Sequence, residues 1–181
     1  MSEAHVHVDP SNKKVALFIA VLALVLAFAE TLGKGSQTSA LASHIEASNL
    51  WAFFQAKTIR QTTLRTAAEQ MEVSNPGEAV KKQIAKWKET ADRYQSEPET
   101  GEGRKELSAR AKEAEKKRDT AMAAYHHYEL ASAAVQIAIV LASASIITSI
   151  AALVWLAGAL GVVGIAFCLI GFFWPTAVHL F

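Results

Sequence analysis

The sequence has little from which to build a catalytic centre or a disulfide-braced domain. Its one cysteine, Cys168, excludes an intrachain disulfide and lies in an apolar stretch without the polar neighbours that activate a thiol. No Gly-x-Ser-x-Gly elbow, paired acid and base, or metal-ligand cluster is present. Thr100-Gly101-Glu102-Gly103-Arg104-Lys105 has the glycines of a phosphate loop but the wrong spacing, and its acids would repel a phosphate. His5, His7 and Asp9 lie on a polar tail where such residues commonly occur by accident, and the adjacent His126 and His127 point about 100° apart on a helix. No catalytic residue, cofactor or metal site is therefore assigned, and the chain does not read as an enzyme. A formal net charge of +1, with bases and acids interleaved, excludes a nucleic-acid partner as well.

What is present is a strong segregation of charge. Of 35 charged residues, 30 fall between Lys34 and Glu129, and Leu130 to Phe181 contains none. A soluble fold needs charge over its whole surface, so a 52-residue uncharged tail calls for a solvent other than water. The lipid bilayer is the expected partner.

Passing along the chain, residues 1–14 read as a disordered tail ending in Lys13 and Lys14. Val15 to Ala29 is free of charge, and extension through Leu32 gives 18 residues, enough for a short transmembrane helix over 15–32. A secretory signal peptide is the competing reading, with small residues at Ser39-Ala40 and Ala42-Ser43, but the apolar run is at the upper limit for such a core. The charged segment 33–130 then begins with Gly33, Gly35 and Ser36, which predict an interruption before a new helix running to about Val73. Leu41, Ile45, Leu50, Trp51, Phe53, Phe54, Ile59 and Leu64 are too widely spread around that helix for one narrow seam, so it is expected to touch more than one neighbour.

Ser74-Asn75-Pro76-Gly77 predicts a turn. Beyond it, Val80, Ile84, Trp87, Ala91 and Tyr94 alternate spacings of four and three, the signature of a coiled-coil seam. Pro98 to Gly103 breaks the rhythm, which resumes at Leu107, Ala111, Ala114, Arg118, Ala121, Tyr125 and Tyr128 and continues into Val135 and Ile139. Arg118 is its polar exception. The uncharged tail divides into transmembrane helices at 131–153 and 156–174, with Trp155 and Trp174 suited to interfaces, and a short tail at 175–181.

Each apolar span carries small residues at alternating spacings of four and three. They are Ala16, Ala20, Ala23 and Ala27; then Ala138, Ala142, Ser145, Ser149 and Ala152; then Ala157, Gly161, Gly164, Cys168 and Gly171. In lipid, helices associate through close backbone approach, so these stripes are the expected packing faces. Glu30 continues the first stripe, and it and Gln136 are the polar groups expected inside or at the edge of the membrane. Gln136, Ser143, Ser145, Thr148 and Ser149 could line a water path, although Ser and Thr also bond to their own helix backbone.

The order of these parts, with Trp51-Ala52-Phe53-Phe54-Gln55-Ala56-Lys57, Thr100 to Leu107 (TGEGRKEL) and Gln136 to Ser143 (QIAIVLAS), resembles a bacterial membrane family catalogued as domain of unknown function 4337. The resemblance covers nearly the whole chain and implies an inner-membrane location, but supplies no activity. Relatives are often basic between their last two helices, where this chain has Ser149-Ile150-Ala151-Ala152.

The expected fold is all-α: three transmembrane helices and an extramembrane helical hairpin, or coiled-coil stalk. Lys13 and Lys14 favour a cytoplasmic N-terminus and a periplasmic stalk, against the opposing bias of Lys112, Lys116, Lys117 and Arg118. The expected function is structural or accessory, through homo-oligomer formation or docking on other membrane-protein subunits. An oligomeric channel or transport component is the alternative.

Overall fold

A computed structural model describes residues 10–74 and 76–177. Among them are four α-helices and no strand: α1 Pro10–Val73, α2 Glu78–Gln95, α3 Arg104–Thr148 and α4 Ala151–Phe173. Three of the four, α1, α3 and α4, are long and apolar enough to cross a membrane.

Several boundaries differ from those read in the sequence. Helix α1 begins at Pro10, so residues 10–14 are helical where a tail was expected; proline suits a first helical turn because its missing N–H would be unpaired there anyway. His5, His7 and Asp9 lie outside the described residues. No interruption occurs at Gly33, Gly35 and Ser36. Glycine costs a helix about 1 kcal/mol relative to alanine, but Gly33 is buried where a Cβ would lie 3.4 Å from the Cβ of Tyr128, so packing offsets local preference.

The turn between α3 and α4 falls at Ser149-Ile150 rather than near Trp155, ending the second apolar helix at Thr148 and starting the third at Ala151. Ser149 takes the left-handed conformation (φ 57°) with its N–H bonded to the Ser145 carbonyl at 2.9 Å, a helix-ending geometry. The bulky, mostly exposed Trp155 lies one turn inside α4.

The chain forms two compact units. The first contains α1 up to Ala40, α3 from Asp119, and α4. Leu22, Val135, Ala138, Ala142 and Ala157 form its buried cluster, with Phe18, Ile19, Val25 and Leu26 against it. Contacts there are backbone-close. A Cβ on Gly164 would lie 2.5 Å from Val135 Cγ2 and 3.1 Å from the Ala131 carbonyl; one on Gly171 would lie 3.0 Å from His127 Cβ. Contacts of Gly164 with Val135 and of Gly171 with His127 run α4 antiparallel to α3.

The second unit, Leu41–Arg118, is a long helical hairpin whose return leg is broken once. Trp51 donates to Glu115 (2.9 Å), and Arg104 bonds to Gln61, placing α3 antiparallel on α1 up to Gln61. Beyond that point α2 takes over: Arg65 pairs with Asp92 (3.3 Å) and Glu72 with Lys88 (2.6 Å). Around Lys57 and Gln61 both returning helices meet α1, through Tyr94 and Ala91 of α2 and Arg104 of α3. Ala47, Leu50, Leu107, Ala111 and Ala114 form the core on the α3 side, with Trp51 and Phe54 against them. Ala68, Ile84 and Ala91 are buried on the α2 side.

The glycine contacts predict a position-dependent cost of substitution. Gly164→Leu should lower the stability of the detergent-solubilised chain by about 1–3 kcal/mol, because branched Val135 and a backbone carbonyl cannot move aside. Gly158→Ala, where nothing lies within 4 Å, should be neutral or slightly stabilising. Thermal melting of both variants checks this; equal losses would contradict the packing described.

Candidate functional site

The densest polar arrangement lies where the return leg of the hairpin is broken. Alternating spacings of three and four along α1 bring Ala47, Leu50, Phe54, Lys57, Gln61, Leu64 and Ala68 onto its inner face, so a lysine and a glutamine occupy positions that apolar residues fill elsewhere. Both are buried, Lys57 at 5% exposure and Gln61 at 2%. Burial of a charge is tolerated only when it is partnered. The Lys57 ammonium lies 3.7 Å from Glu97 and 3.8 Å from Glu102, and it also sits over the rings of Phe53 (5.4 Å) and Tyr94 (5.0 Å). Gln61 donates to the Ala91 carbonyl at 2.9 Å, a group within α2, and accepts from Arg104 at 2.5 Å.

Arg104 joins three elements. Its guanidinium stacks over Phe54 (4.9 Å) and donates to Gln61 and to Gln95 (2.9 Å). Its Nε is buried with no hydrogen-bond partner. Together with Lys105, Ser108 and Lys112 it also borders an open groove of about 490 Å³.

The break itself is held by the first turn of α3. Glu106 accepts from the Ser96 hydroxyl (2.7 Å) and from the Glu97 N–H (3.2 Å), closing the end of α2 onto the start of α3. The Ser96 hydrogen bond, opposed by partial desolvation, holds the Glu106 carboxyl below the usual carboxylate range. Gly101 is in the left-handed region (φ 67°), and Gly103 has no room for a side chain, since a Cβ would lie 2.7 Å from Ser96 Cα and run into the Glu106 carboxylate. The glycines of this loop serve a tight helix-to-helix bend.

The first unit has its own polar contacts. Gln136 donates to Glu30 at 3.4 Å, bringing together the two polar residues read as intramembrane or interfacial. They border a groove of about 540 Å³ with Lys34, Gln37, Tyr125 and Glu129. His127 is fully buried, with Nε2 3.2 Å from the Pro175 carbonyl, its ring stacked on Phe167 and its Nδ1 unpartnered.

The residues singled out in the sequence distribute unevenly. Ala138, Ala142, Ser145, Ala157, Gly161, Gly164 and Gly171 are buried in the first unit, with Cys168 half-buried; Ser149 and Ala152, at the turn, are exposed. Ala16, Ala20, Ala23 and Ala27 are also exposed, and α1 instead turns Phe18, Ile19, Leu22, Val25, Leu26 and Ala29 inward. As a face toward the chain's own helices the first stripe is thus corrected: larger residues of α1 reach into the spaces left by glycine on α4, as Leu22 does at Gly161.

Of the stalk positions, Ile84, Ala91, Leu107, Ala111 and Ala114 are buried and Trp87 and Tyr94 half-buried in the second unit. Ala121 and Tyr125, half-buried, and Tyr128, buried, belong to the first. Val80, in the first turn of α2 beside the turn at residues 74–77, is exposed. Arg118 is half-buried and borders a groove with His44, Trp51 and Glu115. Among the described residues, no group of three His, Cys, Asp or Glu is arranged to hold a metal ion.

Lys57, Gln61, Arg104 and Glu106 were not singled out as site residues from the sequence. The signal was present, since Lys57 and Gln61 continue a regular heptad on α1, but polar residues interrupt its apolar pattern.

The depressed Glu106 acidity predicts a pH effect of definite sign. A carboxylate with a lowered folded-state pKa stabilises above its unfolded value of about 4.3, and that contribution is lost as pH falls through the folded value. Between about pH 6 and about pH 3, protease resistance around residues 96–106 should fall more in the wild-type chain than in Glu106→Gln. Parallel curves would contradict the assignment.

No curated protein and no solved structure matches the chain. Two of the three segments that carry the family resemblance, Trp51 to Lys57 and Thr100 to Leu107, meet in the Lys57–Arg104 cluster, through Lys57 with Glu102 and Arg104 with Phe54. The sequence profile of a family described as domain of unknown function (DUF4337) matches residues 11–174, nearly the full length, and the chain belongs to that family.

Proposed function

We propose that the protein is a structural or accessory component of the bacterial inner membrane. It is anchored by three transmembrane helices and self-assembles, or docks on a larger membrane complex, through its helical hairpin and the exposed faces of its apolar helices. The observation that carries this reading is the character of the exposed surface. Val140, Ile147, Trp155, Val162 and Phe172 are each more than 60% exposed on helices without a charged residue nearby, a surface that lipid or protein would cover and water would not.

The polar cluster supports a holding role. Lys57, Gln61, Arg104 and Glu106 direct most of their polar atoms at one another, at Glu97 and Glu102, or at the ends of α2 and α3. Such groups fix a bend. In this reading the N-terminus is cytoplasmic and the hairpin periplasmic, on the basis of Lys13 and Lys14 before the first span. The bacterial inner-membrane location follows the family resemblance.

Reconstituted liposomes distinguish this reading from a channel. Ion flux should match that of empty vesicles, and Glu30→Gln or Ser145→Ala should leave it there while altering only assembly. A conductance that either substitution changes would overturn the structural reading in favour of transport.

A further inference from the structure

In the sequence, Glu102 and Glu106 flank Arg104 and Lys105 and would repel a phosphate from them. The fold separates the two sets. The Glu102 carboxylate lies 3.8 Å from the Lys57 ammonium, and Glu106 turns back to the Ser96 hydroxyl and the Glu97 N–H. Neither acid lines the groove of about 490 Å³ in the second unit, which Arg104, Lys105 and Lys112 border together with Ser108, Gln95 and Phe54.

Helical spacing explains the lining. At about 100° per residue, Arg104, Lys105, Ser108 and Lys112 fall within a sector of about 100° on α3, with Glu106 about 200° from Arg104. Residues 78–118 interleave 12 bases with nine acids, so a groove with three bases and no acid is a local exception. The next acid in that sector, Glu115, lies three residues beyond Lys112 and accepts from Trp51 at 2.9 Å. One turn to either side of Lys112 stand Ser108 and Lys116. Lys105 and Lys112 are exposed, and neither forms an ion pair among the described residues. Arg104 and Lys105 also occupy the first turn of α3, where the positive end of the helix disfavours cations. A bound anion would offset that repulsion.

We infer that this groove binds a phosphate group. Arg104 is prepared for it: its guanidinium is stacked over Phe54 and held by Nη1 bonds to Gln61 and Gln95, so its plane is fixed before a ligand arrives. Both N–H groups on its Nη2 remain free among the described residues. Lys105 and Lys112 add point charges, and the Ser108 hydroxyl can donate to a phosphate oxygen. A planar fork with two ammonium groups suits a doubly charged phosphate better than a single carboxylate. The groove lies within the range of small-ligand sites, about 300–1,000 Å³, so the phosphate is that of a soluble ester or of an anionic phospholipid headgroup. Because Arg104 also ties α3 to Gln61 and Gln95, an occupied groove would brace the bend between α2 and α3. This site goes beyond the proposed structural role and does not depend on it.

Calorimetric titration of inorganic phosphate into the full-length protein, in mild nonionic detergent at constant ionic strength, tests the site. Saturable binding of one phosphate per chain is expected. Lys105→Gln combined with Lys112→Gln should weaken it at least about tenfold. Thermal melting of that variant in phosphate-free buffer should match the wild type, since both side chains are exposed and unpaired. Lys82→Gln combined with Lys86→Gln removes the same charge from exposed positions of α2 and should leave binding intact. Acetate should not compete. Absence of saturable binding, equal weakening by the two double variants, or equal competition by acetate would overturn the proposal. Nanodiscs separate the two sources of the phosphate. If phosphatidylglycerol in place of phosphatidylcholine blocks inorganic phosphate from the wild-type groove, the site takes a lipid headgroup; equal binding in both assigns it to a soluble ester.

Discussion

Close approach of helix backbones through residues with almost no side chain is the contact on which both units depend. Ala29, Ala68, Ala91, Ala111, Ala131, Ala138, Ala142 and Ala157 are all completely buried, Gly164 has no room for a Cβ, and Gly161 and Gly171 lie close against Leu22 and His127. The largest fully buried side chains are few: Leu107, His127 and Val135. In water such a core buries little apolar area per residue and would be weak. In lipid, where hydrophobic association between helices vanishes, it is the kind of contact that holds helices together. The same preference for alanine continues into the charged hairpin, where partnered polar groups add specificity.

That economy of side chains leaves the large residues outside. Leu17, Leu24, Phe28, Val140, Val162 and Leu169 all point away from the first unit, and the proposed membrane placement gives them a solvent. In the hairpin the return leg is well charged and suits water, whereas α1 carries only six charged residues between Leu41 and Val73. The break between α2 and α3 is where the hairpin accepts buried charge. Lys57 and Arg104 occupy inner positions there, Glu97 and Glu102 answer Lys57, Gln61 and Gln95 accept from Arg104, Glu106 ties Ser96 and Glu97 to the start of α3, and two glycines let the chain turn closely.

The helical class, the turn at residues 74–77 and the break after Pro98 were legible because proline, glycine and heptad spacing act locally. The stripes on the second and third apolar stretches could be read because small residues at fixed spacing have one obvious use. Other features depended on tertiary context. Gly33 and Gly35 argue for a helix break, yet α1 continues through both, with Gly33 buried beside Tyr128. The first alanine stripe imitates the other two but faces outward, since α4 already supplies the small residues at that contact and α1 supplies Leu22. His127 extends the Ala131–Val135–Ala138 face by one turn, yet its neighbours, Phe167, Gly171 and Pro175, lie some 40 or more residues later. Lys57 and Gln61 keep the heptad period while breaking its polarity, so a search for apolar residues passes over them.

The central claim is that the outward apolar surfaces of α1, α3 and α4 lie in lipid while the hairpin stays in water. Labelling of single cysteines by a membrane-impermeant maleimide in opened, intact bilayers tests it most directly, in a Cys168→Ser background. Val140→Cys and Leu169→Cys replace side chains 65% and 51% exposed on the protein surface, so protein alone does not shield them. The account predicts that both resist labelling until detergent is added, while Glu89→Cys on α2 reacts at once. Rapid labelling of Val140→Cys and Leu169→Cys in the intact bilayer would contradict it.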